Sequence, residues 1–460
     1  MVLNKINISP SKIGVIIILI GWFYHMNNIK PWNGNGTIVS DVISYYSYLP
    51  ATFIYDDPHF NFIDTLSDEY VKSKIWILTS PEGFRHPKMS LGLSLMYSPF
   101  FGVAHFIAKN SSYPANGYSL PYEILICLSA FFYAFIGILL LRKILLNYFS
   151  EKITALSLLV LAFGTNLFFY VTAWGPMSHA YNFFLLILLL YATIKWHEKP
   201  KFIYSIIIGF CIGLATVVRP TNLLFAVVPI LYNVYNYKTL LIKLRIIGRN
   251  MVHVLVIAII FIIPLIPQLI YWKIVTGSFI YWSYTDEGFH FLNPKLLPGF
   301  FGFRKGWLIY TPIMIFSLIG LYWLRRVREY AFLIPAYLSI SIYVILSWWC
   351  WWYGGSFGMR TFIDFYGLLA IPLCLCFEKI FEIKKQYIIK FISAIAILFF
   401  ISLNIFQTWQ YRITLIHWDS MNYELYKAVF LKRHFPENYE ELKTPPDYQK
   451  AMIDEEKDYR

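Results

Sequence analysis

Asp41 is the first residue whose type and setting suit chemistry. It follows Ser40 in a long segment between two apolar runs, and Val42, Tyr45, Tyr46, Leu49 and Phe53 recur behind it at the spacing of one helix face. The spacing predicts an amphipathic helix lying in a membrane interface, with the carboxylate at its start. Asp41 then reads either as a helix N-cap beside Ser40 or as a proton acceptor open to a ligand that the Tyr45 and Tyr46 rings would contact. Asp56 and Asp57 follow; adjacent loop acids read as solvated groups or as a sugar-binding or metal-binding pair.

The cations that could meet an anion are scattered. Arg85-His86-Pro87-Lys88 stands directly before the apolar run from Met89, where Arg85 and Lys88 either snorkel or contact a phosphate. His179 closes the stretch Trp174-Gly-Pro-Met-Ser-His179 and reads as a packed interface residue or a site residue. Arg219, in Val-Val-Arg-Pro-Thr-Asn, is the only charge between Lys201 and Lys238. Arg304, with Lys305, precedes another apolar run, and Asp286-Glu287 lies in the same loop. Arg360 ends Trp348-Trp-Cys-Trp-Trp-Tyr-Gly-Gly-Ser-Phe-Gly-Met-Arg360. The tryptophans there read as an aromatic belt, and the glycines permit backbone turns beside a ligand. Asp364, one turn on, reads as an i,i+4 partner of Arg360. A carboxylate, dispersed cations and abundant ring faces suit a lipid-linked, phosphorylated sugar.

The elements that must position these groups are membrane helices. Of 460 residues, 58% are hydrophobic and 14% charged, and the mean hydropathy is +0.54, which excludes a soluble cytosolic enzyme. The 40 Phe, 36 Tyr and 15 Trp exceed what one core needs and suit interfacial rings. The net charge of +13 sits in short clusters between apolar runs, a topology signal that makes nucleic acid an unneeded partner. The five cysteines include no CxxC pair and predict neither disulfides nor a zinc site. No divalent metal or other cofactor is indicated.

Twelve stretches approach the length that crosses ~30 Å of hydrocarbon: Ile13 to Tyr24, Met89 to Ala108, Tyr122 to Leu141, Ile153 to Ala173, Met177 to Ile194, Phe202 to Val218, Thr221 to Asn236, Met251 to Trp272, Trp307 to Leu324, Tyr330 to Cys350, Thr361 to Phe377 and Ile388 to Trp409. The first, preceded by Lys5 and Lys12, lacks small residues at a cleavage position and reads as an uncleaved helix. Cationic clusters at Arg142, Lys143 and Lys152, at Lys195, Lys199 and Lys201, at Lys238, Lys243, Arg245 and Arg249, at Arg325, Arg326 and Arg328, and at Lys379, Lys384 and Lys385 mark the cytoplasmic side. The first outer loop, 27–88, lies on the other side. Parity then forces Met89 to Ala108, broken by Pro99, to dip in and return or a further crossing to hide in that loop; eleven crossings with a re-entrant element is the preferred count. The polytopic domain occupies 1–409, and 410–460 reads as a small polar tail outside the cell membrane. No internal repeat is visible.

An uncleaved first span, a long outer loop carrying Ser40-Asp41 and Tyr45-Tyr46-Ser-Tyr-Leu-Pro-Ala, and Lys88 before an apolar helix resemble the GT-C superfamily of integral-membrane glycosyltransferases, in its protein mannosyltransferase and aminoarabinose transferase branch. The resemblance covers the architecture to about Trp409, but its motifs are short. It implies an all-α bundle of about eleven to thirteen spans in an inner or plasma membrane, an extracytoplasmic site, a polyprenyl-phosphate-linked sugar donor, and a glycan, lipid or protein acceptor. Asp41 matches the family's base and Lys88 its cation; Asp56 or Asp57 could match a second acid. No Asp-x-Asp occurs in the first loop, which weakens a metal-dependent reading. The competing expectations are a transporter or lipid-handling protein without chemistry, and a polysaccharide ligase or polymerase.

Overall fold

The structure, a computed structural model, describes residues 9–34, 36–382 and 387–455. Lys5, Lys384, Lys385 and the last five residues of the expected tail lie outside the described residues. The chain is mostly helical, and among the described residues seven helices are long and apolar enough to cross a membrane: Pro10–Ile29, Leu120–Leu145, Ser178–Glu198, Met251–Thr276, Arg328–Leu346, Arg360–Phe381 and Tyr387–Arg412. Each overlaps one of the twelve apolar stretches, although Arg328–Leu346 stops short of Cys350.

The other five differ for local reasons. Phe202–Val218 is helical for 17 residues and stops before Pro220, because the residue preceding a proline is driven out of the helical region. Ile153 to Ala173 divides into Glu151–Gly164 and Leu167–Thr172. Thr221 to Asn236 and Trp307 to Leu324 are chains of short α and 3-10 helical turns, the second broken before Pro312. Gly92–Lys109 carries Pro99 inside it. Its first residue abuts Val217 and Val218, and His105 Nδ1 is 2.5 Å from Tyr122 Oη, at the start of the following span. The helix therefore packs against the half of that span nearest its start rather than beside all of it.

The apolar window of Arg360–Phe381 is wholly buried in the bundle, whereas Met251–Thr276 has only 17% of its window buried and lies at the edge. Close approach at that edge depends on Gly209 and Gly213, four residues apart: a Cβ on either would strike the backbone of Ile257 or Phe261.

Above the bundle the first loop folds as short helices and a two-residue hairpin, Leu78–Thr79 with Arg85–His86. Buried Glu123, at the head of Leu120–Leu145, ties the loop down. Its Oε2 accepts from the amides of Thr37 (2.6 Å) and Ile38 (3.0 Å), and its Oε1 meets Lys74 Nζ at 2.6 Å. Asp41 follows that anchor by three residues. The expected amphipathic interfacial helix is corrected: the segment forms two six-residue helices, Asp41–Tyr46 and Tyr48–Phe53, and every residue from Val42 to Ala51 is buried. Of the expected apolar face, Val42, Tyr45, Tyr46 and Leu49 meet protein, and only Phe53, at the end of the second helix, is exposed.

The tail is also more than an appendage. Tyr448–Met452 packs its Tyr448 ring against Trp349 and Trp352, Asp454 Oδ1 pairs with Lys295 Nζ at 2.7 Å, and the Ala451 carbonyl lies 3.1 Å from His290 Nε2. Polar composition concealed this because a few rings, one ion pair and hydrogen bonds from His290 and Asn293 carry the contact.

Candidate functional site

Three breaks in helical structure bring the site residues together. Asp41 begins its short helix after Ser40, whose φ of 52° is unusual for a residue with a side chain. No side chain caps this helix, and Asp41 Oδ2 accepts from Arg360 Nη2 at 2.9 Å. Arg219 is extended at the end of Phe202–Val218, where Pro220 ends the helix and turns the side chain inward. Arg360 opens the turn Arg360–Phe365 after Gly354 and Gly358, with φ of 63° and 62°. Tyr353, at φ 57°, shares that left-handed geometry without being glycine. Strained residues thus flank both members of the Asp41–Arg360 pair.

A cavity of about 640 Å³ is lined by Asp41, Tyr45, Lys88, Arg219, Arg360 and Asp364, with Tyr284, Trp348, Tyr353 and Tyr448 among its rings. Its cations are all matched. Lys88 Nζ is in contact with Glu287 Oε1, Arg360 pairs with Asp41, and Arg219 Nη1 lies 3.8 Å from Asp364 Oδ2. Burial pushes the hydroxyls of Tyr284 and Tyr353 up, so both present neutral O–H groups. A second cavity, of about 650 Å³, lies on the other side of the Asp41–Arg360 pair. Ser40, Tyr170, Trp174, Arg412 and Trp418 line it, and it shares Asp41, Tyr353, Gly354 and Arg360 with the first.

Asp364 does not pair with Arg360 at i,i+4. Its Oδ1 is 2.9 Å from His179 Nδ1 and its Oδ2 accepts from Asn182 Nδ2 at 2.8 Å. His179 is completely buried, with its Nε2 3.5 Å from Arg219 Nη2; it supports Arg219 from behind rather than facing a cavity. A polar residue inside a span is costly unless partnered, a sequence signal that Asp364 carried only as an expected partner of Arg360 and Asn182 carried without being singled out. Glu287 carried no role in the sequence, and Arg412 was missed, because nothing local distinguishes a loop glutamate or a span-terminal arginine.

Several candidates lie elsewhere. Arg85 is held by Asp64 through two contacts of 2.8 and 3.1 Å at the exposed surface. Tyr46 donates to the Gly117 carbonyl and is buried away from both cavities. Asp57 accepts from the His59 and Phe62 amides, at 3.0 and 2.7 Å, as a loop cap, and Asp56 is exposed beside it. Arg304 donates to the Asp419 carbonyl at 3.3 Å and stacks over Trp352. The tryptophans of Trp348 to Trp352 are not an interfacial belt, since Trp349, Trp351 and Trp352 are buried. Among the described residues no group of three or more His, Cys, Asp or Glu is placed to hold a metal ion.

The helix Ser178–Glu198 fixes the depth of the site. His179 belongs to its first turn and His197 to its last, about 27 Å apart at 1.5 Å per residue. The cavities therefore open at one end of the bundle, and the Lys195, Lys199 and Lys201 cluster stands at the other. No family model matches the chain, and neither a curated protein nor a solved structure matches it significantly.

Proposed function

We propose that this chain is a membrane glycosyltransferase of the GT-C kind, which moves a sugar from a polyprenyl-phosphate-linked donor to an acceptor hydroxyl on the extracytoplasmic side. One observation carries the reading: two cavities of similar size meet at a single carboxylate, Asp41, paired with an arginine that lines both. A transfer reaction needs that arrangement, with two substrates converging on one proton acceptor.

In this reading the ring-lined first cavity takes the donor, whose phosphate meets Arg219, Arg360 and Lys88, and the second takes the acceptor. Asp41 removes the proton of the attacking hydroxyl. The hydroxyl oxygen bonds to the anomeric carbon as the bond from that carbon to the phosphate oxygen breaks, inverting the sugar. The electron pair remains on the polyprenyl phosphate, where the arginines hold the added charge in a poorly hydrated site. The leaving group is stable as an anion, so no general acid is required, and none of the steps calls on a metal. The resemblance of the sequence motifs around Asp41 and Lys88 supports the same reading.

Purified protein incubated with polyprenyl-phosphate sugars and a mixture of acceptors tests this. Release of free polyprenyl phosphate that is lost in Asp41→Asn supports transfer. Binding of the lipid without release, in the wild-type protein, favours a lipid-handling role.

A further inference from the structure

The helix Tyr237–Arg249 contains four cations and no acid. At 13 residues it is about 20 Å long, too short to cross ~30 Å of hydrocarbon. It is sharply bounded. Asn236 and Thr239 form a reciprocal capping box, with the Thr239 amide 2.9 Å from Asn236 Oδ1, and non-helical Asn250 separates it from Met251–Thr276.

At 100° per residue its side chains fall into three faces. One faces protein: Lys243 is buried, its Nζ against His197 Nε2 and donating to the Tyr232 carbonyl at 3.2 Å. A second carries Tyr237, Leu240, Leu241 and Leu244, all exposed. That stripe continues into the exposed apolar surface of Met251, Val252 and Leu255 on the span that follows. The third carries Lys238, Arg245 and Arg249, exposed and interrupted only by Ile242; no carboxylate pairs with any of them among the described residues. His197 places the helix at the end of the bundle opposite the cavities, with exposed Lys199 and Lys201 beside it.

We infer that Tyr237–Arg249 is an in-plane membrane element that binds the anionic phospholipid surface on the face of the membrane opposite the candidate site. The apolar stripe enters the acyl boundary, the three cations meet headgroup phosphates, and Lys243 fastens the helix to the bundle so that both faces stay presented. A neutral surface would satisfy the leucines and leave the cations unmatched; an anionic one satisfies both.

The full chain, reconstituted in phosphatidylcholine bilayers with or without phosphatidylglycerol, gives the test. Amide exchange is followed over 237–249, with 178–198 as internal reference. Exchange over 237–249 is expected to slow by about tenfold or more when phosphatidylglycerol is present, given about fivefold per cation near an anionic surface. High salt and the triple variant Lys238→Gln/Arg245→Gln/Arg249→Gln should abolish the difference, and Lys109→Gln, a cation near the other end of the bundle, should preserve it. Equal exchange in the two bilayers overturns the inference, as does a triple variant that keeps the phosphatidylglycerol effect while the reference segment is unchanged.

Discussion

Arg360 Nη2 stands 2.9 Å from Asp41 Oδ2, joining residues 319 apart in the chain at the point where two cavities touch. The pair means that the carboxylate best placed to take a proton and the cation best placed to hold a phosphate neutralise each other while no ligand is present. In the proposed reaction, an entering phosphate must compete with Asp41 for Arg360, and its arrival leaves the carboxylate with one fewer donor.

Removing the charge of Asp41 should therefore separate binding from transfer. Asp41→Asn is expected to bind polyprenyl phosphate about tenfold more tightly, about 1.4 kcal/mol, because a neutral amide neither occupies Arg360 as strongly nor repels the ligand. Arg360→Gln should weaken the same binding by a similar factor or more. Titration of both single variants and the double variant measures the coupling between them. Tighter binding together with lost transfer is the expected combination for Asp41→Asn; weaker binding would contradict the competition.

The contact between Lys88 and Glu287 makes a related prediction with opposite signs on its two members. Glu287→Gln frees Lys88 at the cavity wall and should lower the Kd for polyprenyl phosphate. Lys88→Gln should raise it several-fold, by about 1 kcal/mol for a partly exposed charge contact. If both substitutions shift Kd in the same direction, the pair acts on folding rather than on the ligand.

How far the sequence reveals this site depends on whether the signal is local. Asp41, Lys88, Arg219 and Arg360 stand out because each is a charge at the edge of an apolar run, and hydropathy detects that from neighbours alone. The seven long spans are legible on the same ground. Pair partners are not: Asp364 meets His179 from 185 residues away, and the helical i,i+4 rule points instead to Arg360. Arg85 resembles Lys88 in composition and position, yet Asp64 diverts it to the surface. Arg85→Gln should accordingly leave polyprenyl phosphate binding at the wild-type level in the titration that detects Lys88→Gln.

The tail supplies a wall that its polarity conceals. Tyr448 lines the first cavity and rests on Trp349 and Trp352, and the ion pair of Asp454 with Lys295 holds its helix in place. Tyr448→Ala should cost about 1 to 2 kcal/mol of stability, since the ring is only partly buried, and should weaken donor binding. Lys295→Ala should weaken it less, by loosening the same helix. Removal of residues 445–460 with donor affinity intact would show that the wall is dispensable.

Lys305 supplies a pH dependence. Its Nζ donates to the carbonyls of Ser356 and Trp418, and the side chain is buried. Burial pushes its pKa down to about 7; Asp419 opposes the shift, and Arg304 and Arg360 add to it. In the unfolded chain the amine titrates in the ordinary lysine range, near 10.4. Between about pH 7 and about pH 10 the unfolded state thus binds more protons than the folded one, so stability rises with pH across that window and is flat below it, where both states hold the proton. The unfolding temperature in detergent should increase from pH 7 upward in the wild-type protein, and Lys305→Met should lack that component; parallel profiles would contradict the assignment. Ser356 belongs to the glycine-flanked turn that presents Arg360, and Trp418 lines the second cavity. Lys305→Met should for that reason also lower transfer at every pH, through the position of Arg360.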